Sequence, residues 1–509
     1  MTPSTKMSLS ACLRLRLAIF MAGACVMVLQ VLGTRIIGPH YGVGLYVWTA
    51  LITVTLGALA LGYWIGGKLA DRRPTLPWFA SVLLVAAAFV GLIPLARGWV
   101  LEAGWVFGLR GGALLSALAL FFPAQFFLGM VSPYAIRLEA TGAEVSGRSA
   151  GRLYAISTAG SVTGALLAGF YLVPHFRIPV LLGIISGSLA CAAVLTAGAG
   201  RNSSVVIPAV VLGLLAIFGA WPRPKPPGLI HACSFQNSDV RVVDYQDQRF
   251  LLVDQTAQSA FSAKGRPRDL YAYFLSARVL LARPGVRHAA IVGLGGGSLL
   301  PLLAQGGMDL EVAELSPEII AAARTYFGLN LPEERVHQAD GRVFLRDHPG
   351  KFDVIVLDAF SGDRMAYSLV SREGFATAKA ALTPGGLLAL NSWGIDLRMG
   401  RPNRLGASIR RTLEKVFPHV LAVPAAGNLL FFASDTPIEP RCESVTFEAF
   451  DGPRQFGWSE VPPTTWPEGV LLTDDWNPAD TLDVSGMESL RVRRRADMPT
   501  EVRTALTWE

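Results

Sequence analysis

The stretch His288-Ala-Ala-Ile-Val-Gly-Leu-Gly-Gly-Gly-Ser298 constrains this chain more than any other feature. It is a short apolar strand ending in glycines, followed by Glu314 at the end of a second apolar run and then by Ala339-Asp340-Gly341. A strand, a glycine turn and an acid about 20 residues on form the pattern by which a doubly wound sheet holds a nucleoside. Gly293, Gly295 and Gly297 would let the backbone approach the ligand without a Cβ in the way, and Glu314 would accept both ribose hydroxyls. This part of the chain reads as an enzyme.

The half before it reads as membrane. Of 509 residues 51% are hydrophobic and only 16% charged, too apolar for an ordinary soluble protein, and the excess lies before about residue 222. A span needs about 20 apolar residues. Runs of that length lie at roughly 15–37, 46–67, 78–97, 112–135, 153–175, 178–199 and 204–221, so about seven spans are expected. Gly57-Ala-Leu-Ala-Leu-Gly62 and Gly160-Ser-Val-Thr-Gly164 suit close helix packing in lipid. No acid sits in the middle of a span, which argues against a proton relay. Trp221-Pro-Arg-Pro-Lys-Pro-Pro-Gly228 is a stiff linker, since proline fixes φ. The expected layout is a helical transmembrane domain at 1–222, a proline-rich linker at 223–229 and a soluble domain at 230–509.

Charge and cysteine content narrow the partners. The net charge is +7, but Lys and Arg are scattered without an aromatic-interleaved stripe, so nucleic acid is not expected. Basic residues gather at Lys6, Arg14 and Arg16, at Lys68, Arg72 and Arg73, at Arg137, Arg148 and Arg152, and at Arg201. The positive-inside rule puts all four sets in the cytoplasm of a multi-pass protein of the cell (inner) membrane. An odd seventh span would then export the soluble domain, away from a nucleoside made inside the cell, so its side stays open. Five cysteines without CxxC spacing indicate neither a disulfide framework nor a metal site. The lipid bilayer is the expected partner, and a homo-oligomer is compatible with the sequence.

Beyond the linker, Asp239–Tyr245 and Arg249–Asp254 read as a hairpin around Gln246-Asp-Gln248. Helices are expected at about 268–282, 298–305, 317–327, 341–347 and 370–382, alternating with strands at 288–293, 309–314, 334–338, 353–358 and 386–391. That alternation requires a parallel sheet covered on both faces, an α/β Rossmann-like fold.

From about Phe235 to Ser392 the chain resembles the polyamine aminopropyltransferases, the spermidine and spermine synthase family, built on the class I S-adenosylmethionine-dependent methyltransferase fold. Phe235-Gln236-Asn237 is similar to the family's Tyr-Gln-Asn, and Asp254-Gln-Thr-Ala-Gln258 to its Asp-Gly-x-x-Gln turn. Gly293-Leu-Gly-Gly-Gly297 and Glu314 stand where the family has its glycine loop and ribose-binding acid. Asp340-Gly341 matches the pair that holds the adenine amino group, Asp358-Ala-Phe-Ser361 the catalytic Asp-Ser-Ser-Asp, and Leu382-Thr-Pro-Gly-Gly386 the Leu-Lys-Pro-Gly-Gly strand. The resemblance implies a membrane-fused aminopropyltransferase that uses S-adenosylmethionine or its decarboxylated form as cosubstrate, a small-molecule amine as acceptor and no metal.

The chemistry assigns roles. An amine attacks a carbon next to a sulfonium only when neutral, whereas free alkylamines are protonated near pH 7. Asp358, at the carboxyl end of a parallel strand, would take that proton as catalytic residue. By the resemblance Gln236, Gly293, Gly295, Gly297, Glu314, Asp340 and Gly341 hold the cosubstrate, and Gln258, Tyr273, Ser361 and Asp363 line the acceptor side. A helix cap is the alternative for Asp358. Departures from the family pattern are Gly296 in place of a loop acid, Ser361 in place of the second motif acid with Asp363 two residues on, and Tyr271 and Tyr273 in place of a His-Glu pair. Leu472-Thr-Asp-Asp-Trp-Asn-Pro478 resembles a motif of membrane-fused members, by which Asp474 and Asp475 would fold over the pocket mouth; capping a turn before Pro478 is the alternative. Two other readings stay open: a methyltransferase or other sulfonium-consuming enzyme, and a transporter or sensor with a nucleoside- or polyamine-binding regulatory domain. Gly62–Arg73 resembles a loop of major-facilitator transporters, which would suit the latter, but it reads equally as a cytoplasmic helix end with snorkelling cations.

Overall fold

A computed structural model describes residues 8–42, 44–139, 146–197, 206–211, 224–235, 238–253, 256–361, 364–396, 400–439, 443–457, 464–482 and 498–506. The chain divides into two compact units between Pro224 and Lys225.

The first unit contains helices α1 (Leu9–Tyr41), α2 (Leu45–Arg72), α3 (Leu76–Gly104), α4 (Gly108–Glu139), α5 (Ser146–Leu167) and α6 (Ile178–Ala197). Among the described residues five stretches are long and apolar enough to cross a membrane; the third, Leu76–Glu139, comprises α3 and α4. A 3-10 turn at Trp105–Phe107 and Gly108 at φ +71° separate these two. Of the seventh expected run only 206–211 lies within the described residues.

Glycine sets the closest helix contacts. A Cβ on Gly160 would stand 2.0 Å from the Phe20 carbonyl oxygen, one on Gly164 2.5 Å from that of Ala24, and one on Gly23 2.2 Å from that of Ser157, so α1 and α5 meet backbone to backbone. Gly62 of α2 is held likewise, 2.3 Å from the Phe126 oxygen of α4, but Gly57 faces open space. The Gly57–Gly62 pair expected from spacing is therefore one contact glycine, because the facing helix passes only at Gly62.

Several ionic contacts gather at one end of this unit. Glu139 at the end of α4 accepts from Arg16 of α1 at 2.7 Å and from Arg152 of α5, while Arg137 pairs with Asp71 of α2 at 3.0 Å. Arg14 reaches the Leu195 carbonyl near the end of α6 at 3.3 Å. The described helices thus bring α1's start and α6's finish to the same basic end.

The second unit is built on a seven-stranded sheet. Its strands are β5 (His288–Val292), β6 (Asp309–Glu314), β7 (Val336–Gln338), β8 (Phe352–Leu357), β9 (Leu382–Ser392), β10 (His419–Ala425) and β11 (Asn428–Ser434), in the order β10-β11-β9-β8-β5-β6-β7. All pairs from β9 to β7 are parallel, and β11 runs antiparallel to both β9 and β10. Strand order reverses between β5 and β8, which makes their carboxyl ends the switch point where such sheets bind ligands. Val354, Ile355, Val356 and Leu357 are all almost wholly buried because helices cover both faces. Each such side chain contributes about 1.5–3 kcal/mol.

Local chemistry starts the helices. Ser316 accepts from the Ile319 N–H at 3.3 Å to cap α9 (Pro317–Tyr326), and Ser371 accepts from Gly374 at 3.0 Å to cap α11 (Arg372–Ala381). The remaining helices used below are α7 (Leu270–Ala282), α8 (Leu300–Ala304), α10 (Gly341–Arg346) and α12 (Arg404–Leu413). Every expected strand and helix between 268 and 391 is present, shifted by a few residues at its ends.

Two parts differ from expectation. The hairpin is the middle of a four-stranded antiparallel sheet, β1 (Leu229–Phe235), β2 (Ser238–Tyr245), β3 (Gln248–Val253) and β4 (Thr256–Ser262). Its outer strands carry His, Ser, Gln and Cys and lack the apolar alternation that marks β2 and β3. The β10–β11 edge was not expected at all, since sequence gave no helix between two adjacent strands to signal a parallel sheet.

Replacing Gly160 with valine should force α1 and α5 apart, whereas Gly57→Val should be accommodated. Thermal aggregation of the detergent-solubilised full chain will separate the two, the first variant losing most folded protein and the second matching the parent.

Candidate active site

The site is assembled where β5, β6 and β8 end. The Gly293 N–H donates to the Ala313 carbonyl and the Asp358 N–H to that of Val292, both at 2.8 Å, so the parallel pairing continues one residue beyond each strand. At Gly293, φ is +95° and a Cβ would lie 2.3 Å from the Asp358 oxygen. Gly295 and Gly297 also have positive φ, at +53° and +83°. A Cβ at Gly295 or Gly296 would press on Ser259, 3.0 and 2.9 Å away. The loop glycines are thus required by backbone conformation and by packing on protein. The same crowding explains why Gly296 carries no acid: Ser259 and Phe261 occupy that space, and the Ser259 hydroxyl accepts the Gly296 N–H at 2.9 Å.

Three carboxylates border one cleft of about 990 Å³, its open mouth included, together with Gln258, Tyr271 and the glycine loop. Glu314 is buried, with Oε2 accepting from the Leu294 N–H and Oε1 from Ser316, each at 2.9 Å. Burial pushes its carboxyl above the ordinary range, opposed by these backbone donors. The Leu315 and Gly295 N–H groups also act on this carboxylate, so Glu314 is an acceptor turned toward the backbone at the rim of the cleft. Asp340 caps α10, Oδ1 accepting from Arg342 at 2.9 Å and Val343 at 3.1 Å. Gly341 lies so tightly on β5 that a Cβ would meet the Val292 side chain at 2.2 Å.

Asp358 is held by side chains. Tyr271 donates its hydroxyl to Oδ2 and Asn391 its amide to Oδ1, each at 2.8 Å, and Asn428 in turn donates to the Asn391 oxygen at 2.6 Å. Removal from water pushes the Asp358 carboxyl up to about 7; the two donors restrain the rise and the nearby negative Asp269 adds to it. A second cavity, lined by Arg268, Asp269, Asn391, Trp393 and Asn428, shares Gln258, Tyr271 and Phe360 with the first. The carboxylate thus stands beside the wall common to two lobes.

Gly293, Gly295, Gly297, Glu314, Asp340, Gly341, Gln258 and Asp358 all line the main cleft. Tyr273 does not. It is fully buried, donates to the Pro267 carbonyl at 2.7 Å and stacks on Phe456, because two residues along a helix turn a side chain to another face. Tyr271 takes the place expected for it. Gln236 and Asp363 lie outside the described residues, and for Ser361 only the backbone is described, in a two-residue strand. Asp474 pairs with Arg342 at 2.7 Å and is not among the residues that line the cleft. Asn391 and Asn428 were missed. An amide closing the Leu-Leu-Ala-Leu run at a carboxyl strand end marks Asn391, but only the fold back of β11 brings in Asn428.

Among the described residues no cluster suited to a metal ion occurs. No family model matches the chain. It is 31% identical over 192 residues to a polyamine aminopropyltransferase of Chromobacterium violaceum, covering 36% of this chain and 70% of that protein. A polyamine aminopropyltransferase of Mycobacterium tuberculosis is 25% identical over 460 residues, 83% of this chain and 86% of that protein, a match that extends into the helical unit. The crystal structure of spermidine synthase from Thermotoga maritima aligns with 42% of this chain and 74% of its own at 20% identity and a TM-score of 0.35.

Tyr273→Ala should unfold at markedly lower denaturant than the parent, losing about 3–5 kcal/mol as for other large buried rings. Tyr271→Ala should cost far less, and equilibrium unfolding of the two variants side by side checks the assignment.

Proposed function

This chain belongs to the polyamine aminopropyltransferase family, and on that premise we propose that it transfers an aminopropyl group from decarboxylated S-adenosylmethionine to an amine, with Asp358 as general base. The single observation that carries the role of Asp358 is a carboxylate raised to about 7 beside the wall between two cavities, one bordered by Glu314 and Asp340 and the other by amides and Trp393. A nucleoside fits the first lobe and an amine the second.

The residues divide the work as follows. Glu314 accepts the ribose hydroxyls, and Asp340 accepts the adenine amino group. Gly293, Gly295, Gly297 and Gly341 form the floor, and Gln258 and Tyr271 form the wall between the lobes. The acceptor amine enters as ammonium and gives one proton to the Asp358 carboxylate. Its lone pair then forms a bond to the carbon beside sulfur while the carbon–sulfur electrons return to sulfur and cancel its charge. A carboxylate near 7 takes up that proton more readily than one near 4, because the acid so formed is weaker. The bonds from Tyr271 and Asn391 leave the carboxylate aimed at the junction.

The helical unit, by its apolar stretches, anchors the enzyme in a membrane with its basic end on the cytoplasmic side. Carbonate extraction that releases the chain from membranes would contradict this.

Product analysis tests the reaction. Methylthioadenosine is the expected nucleoside product, and S-adenosylhomocysteine would indicate methyl transfer instead. Asp358→Asn should lower kcat about 10²–10⁴-fold. The kcat/KM profile should rise with pH through about 7, where Asp358 of the free enzyme loses its proton. In Tyr271→Phe a donor to the charged form is lost, so the carboxyl pKa moves up and the acid limb shifts to higher pH; a downward shift would contradict the arrangement.

A further inference from the structure

We propose that Asp474 is a positioning residue: by clamping Arg342 it sets the affinity of the nucleoside end of the cleft without touching substrate. The proposal rests on the reading of Asp340 as the group that receives the adenine.

Helix α10 has only six residues, too few to hold itself. Asp340 caps it through Oδ1, so the direction of its other oxygen follows wherever α10 is held. Phe344 and Leu345 bury the far end of the helix. The near end rests on β5 through Gly341 and is tied on its outer side by Arg342, whose guanidinium forks onto Asp474 with Nη1 to Oδ1 at 2.8 Å and Nη2 to Oδ2 at 2.7 Å. Asp474 also accepts from the Ser371 hydroxyl at 2.5 Å, and its N–H donates to Glu373 at 3.0 Å. One carboxylate thus ties the starts of α10 and α11 together.

Asp474 is presented from a segment fixed by other bonds. Leu472 is fully buried, its N–H donates to Thr412 at 3.0 Å and its carbonyl accepts from Arg372 at 2.8 Å, while Arg411 grips the Gly469 carbonyl at 2.6 Å. Breaking the fork would therefore leave the segment docked. Arg342 and Asp474 are 27% and 41% exposed, so the pair contributes little to global stability. Its effect is local.

The clamp has a second consequence. Arg342 lies two residues from Asp340, and the attraction of that carboxylate is one of the influences that raise the guanidinium's pKa. The hydrogen bond from Arg342 is the main influence that holds the Asp474 carboxyl below its ordinary range. Without Asp474, the released cation is left among the Ser368 carbonyl, Glu373 and Asp340, and the share of it drawn to Asp340 competes with the adenine. Loss of the acid should therefore harm nucleoside binding more than loss of the base.

Equilibrium binding of methylthioadenosine and decarboxylated S-adenosylmethionine to the detergent-solubilised full chain tests this, with steady-state kinetics alongside. Asp474→Asn should weaken nucleoside binding and raise its KM about tenfold, equivalent to about 1.4 kcal/mol, leaving the amine KM and the pH of the acid limb of kcat/KM unchanged. Arg342→Gln should cost about threefold, and the double variant should match Arg342→Gln rather than exceed Asp474→Asn. Equal losses in both single variants, as a purely structural pair gives, would overturn the proposal, as would unchanged nucleoside affinity in Asp474→Asn. Failure of the parent chain to bind either nucleoside would instead remove the underlying reading of Asp340.

Discussion

Parallel pairing at the switch point is the constraint on which the site depends. Gly293 bonds across to Ala313 and Asp358 bonds across to Val292, so the ends of β6, β5 and β8 are fixed relative to one another by backbone alone. Gly293 lies so close to Asp358 that any side chain there would push the strands apart. Glu314 and Asp358 then emerge on either side of the glycine loop as a consequence of register. Side-chain chemistry refines an arrangement that the sheet has already imposed.

The three carboxylates differ because their donors differ. Glu314 receives backbone N–H groups in a buried place, and Asp340 is tied to a helix start, so both are fixed as acceptors. Burial raises the carboxyls of both Glu314 and Asp358, but Asp358 accepts from a phenol and an amide, and its carboxyl stands at about 7. In the proposed roles, the group that gains and loses a proton needs a pKa near the working pH, whereas the groups that hold hydroxyls and an amine do not.

Much of the fold was legible because periodicity reports burial. Every strand and helix of the parallel core was readable from apolar runs and turn residues, since a sheet covered on both faces must be apolar along its whole length. The helices of the first unit were legible for the same reason, by length and hydropathy. Their contacts were not: Gly57 and Gly62 look equivalent in sequence, yet only Gly62 meets a neighbour. The outer strands of the small sheet carry polar residues on both faces, and the β10–β11 edge lacks the helix that announces a parallel crossover.

For the site, sequence alone determined the glycine loop and the three acids, because a strand end and the residue after it are fixed by local geometry once the strand is recognised. The tertiary structure decided which partners those acids have. Tyr271 rather than Tyr273 reaches Asp358 because helix rotation separates residues two apart, and Asn428 arrives by an antiparallel return of β11. Asp474 pairs with a residue 132 positions away in the chain. Such contacts depend on the distance between elements, a quantity set by packing, and no local pattern of residues encodes it.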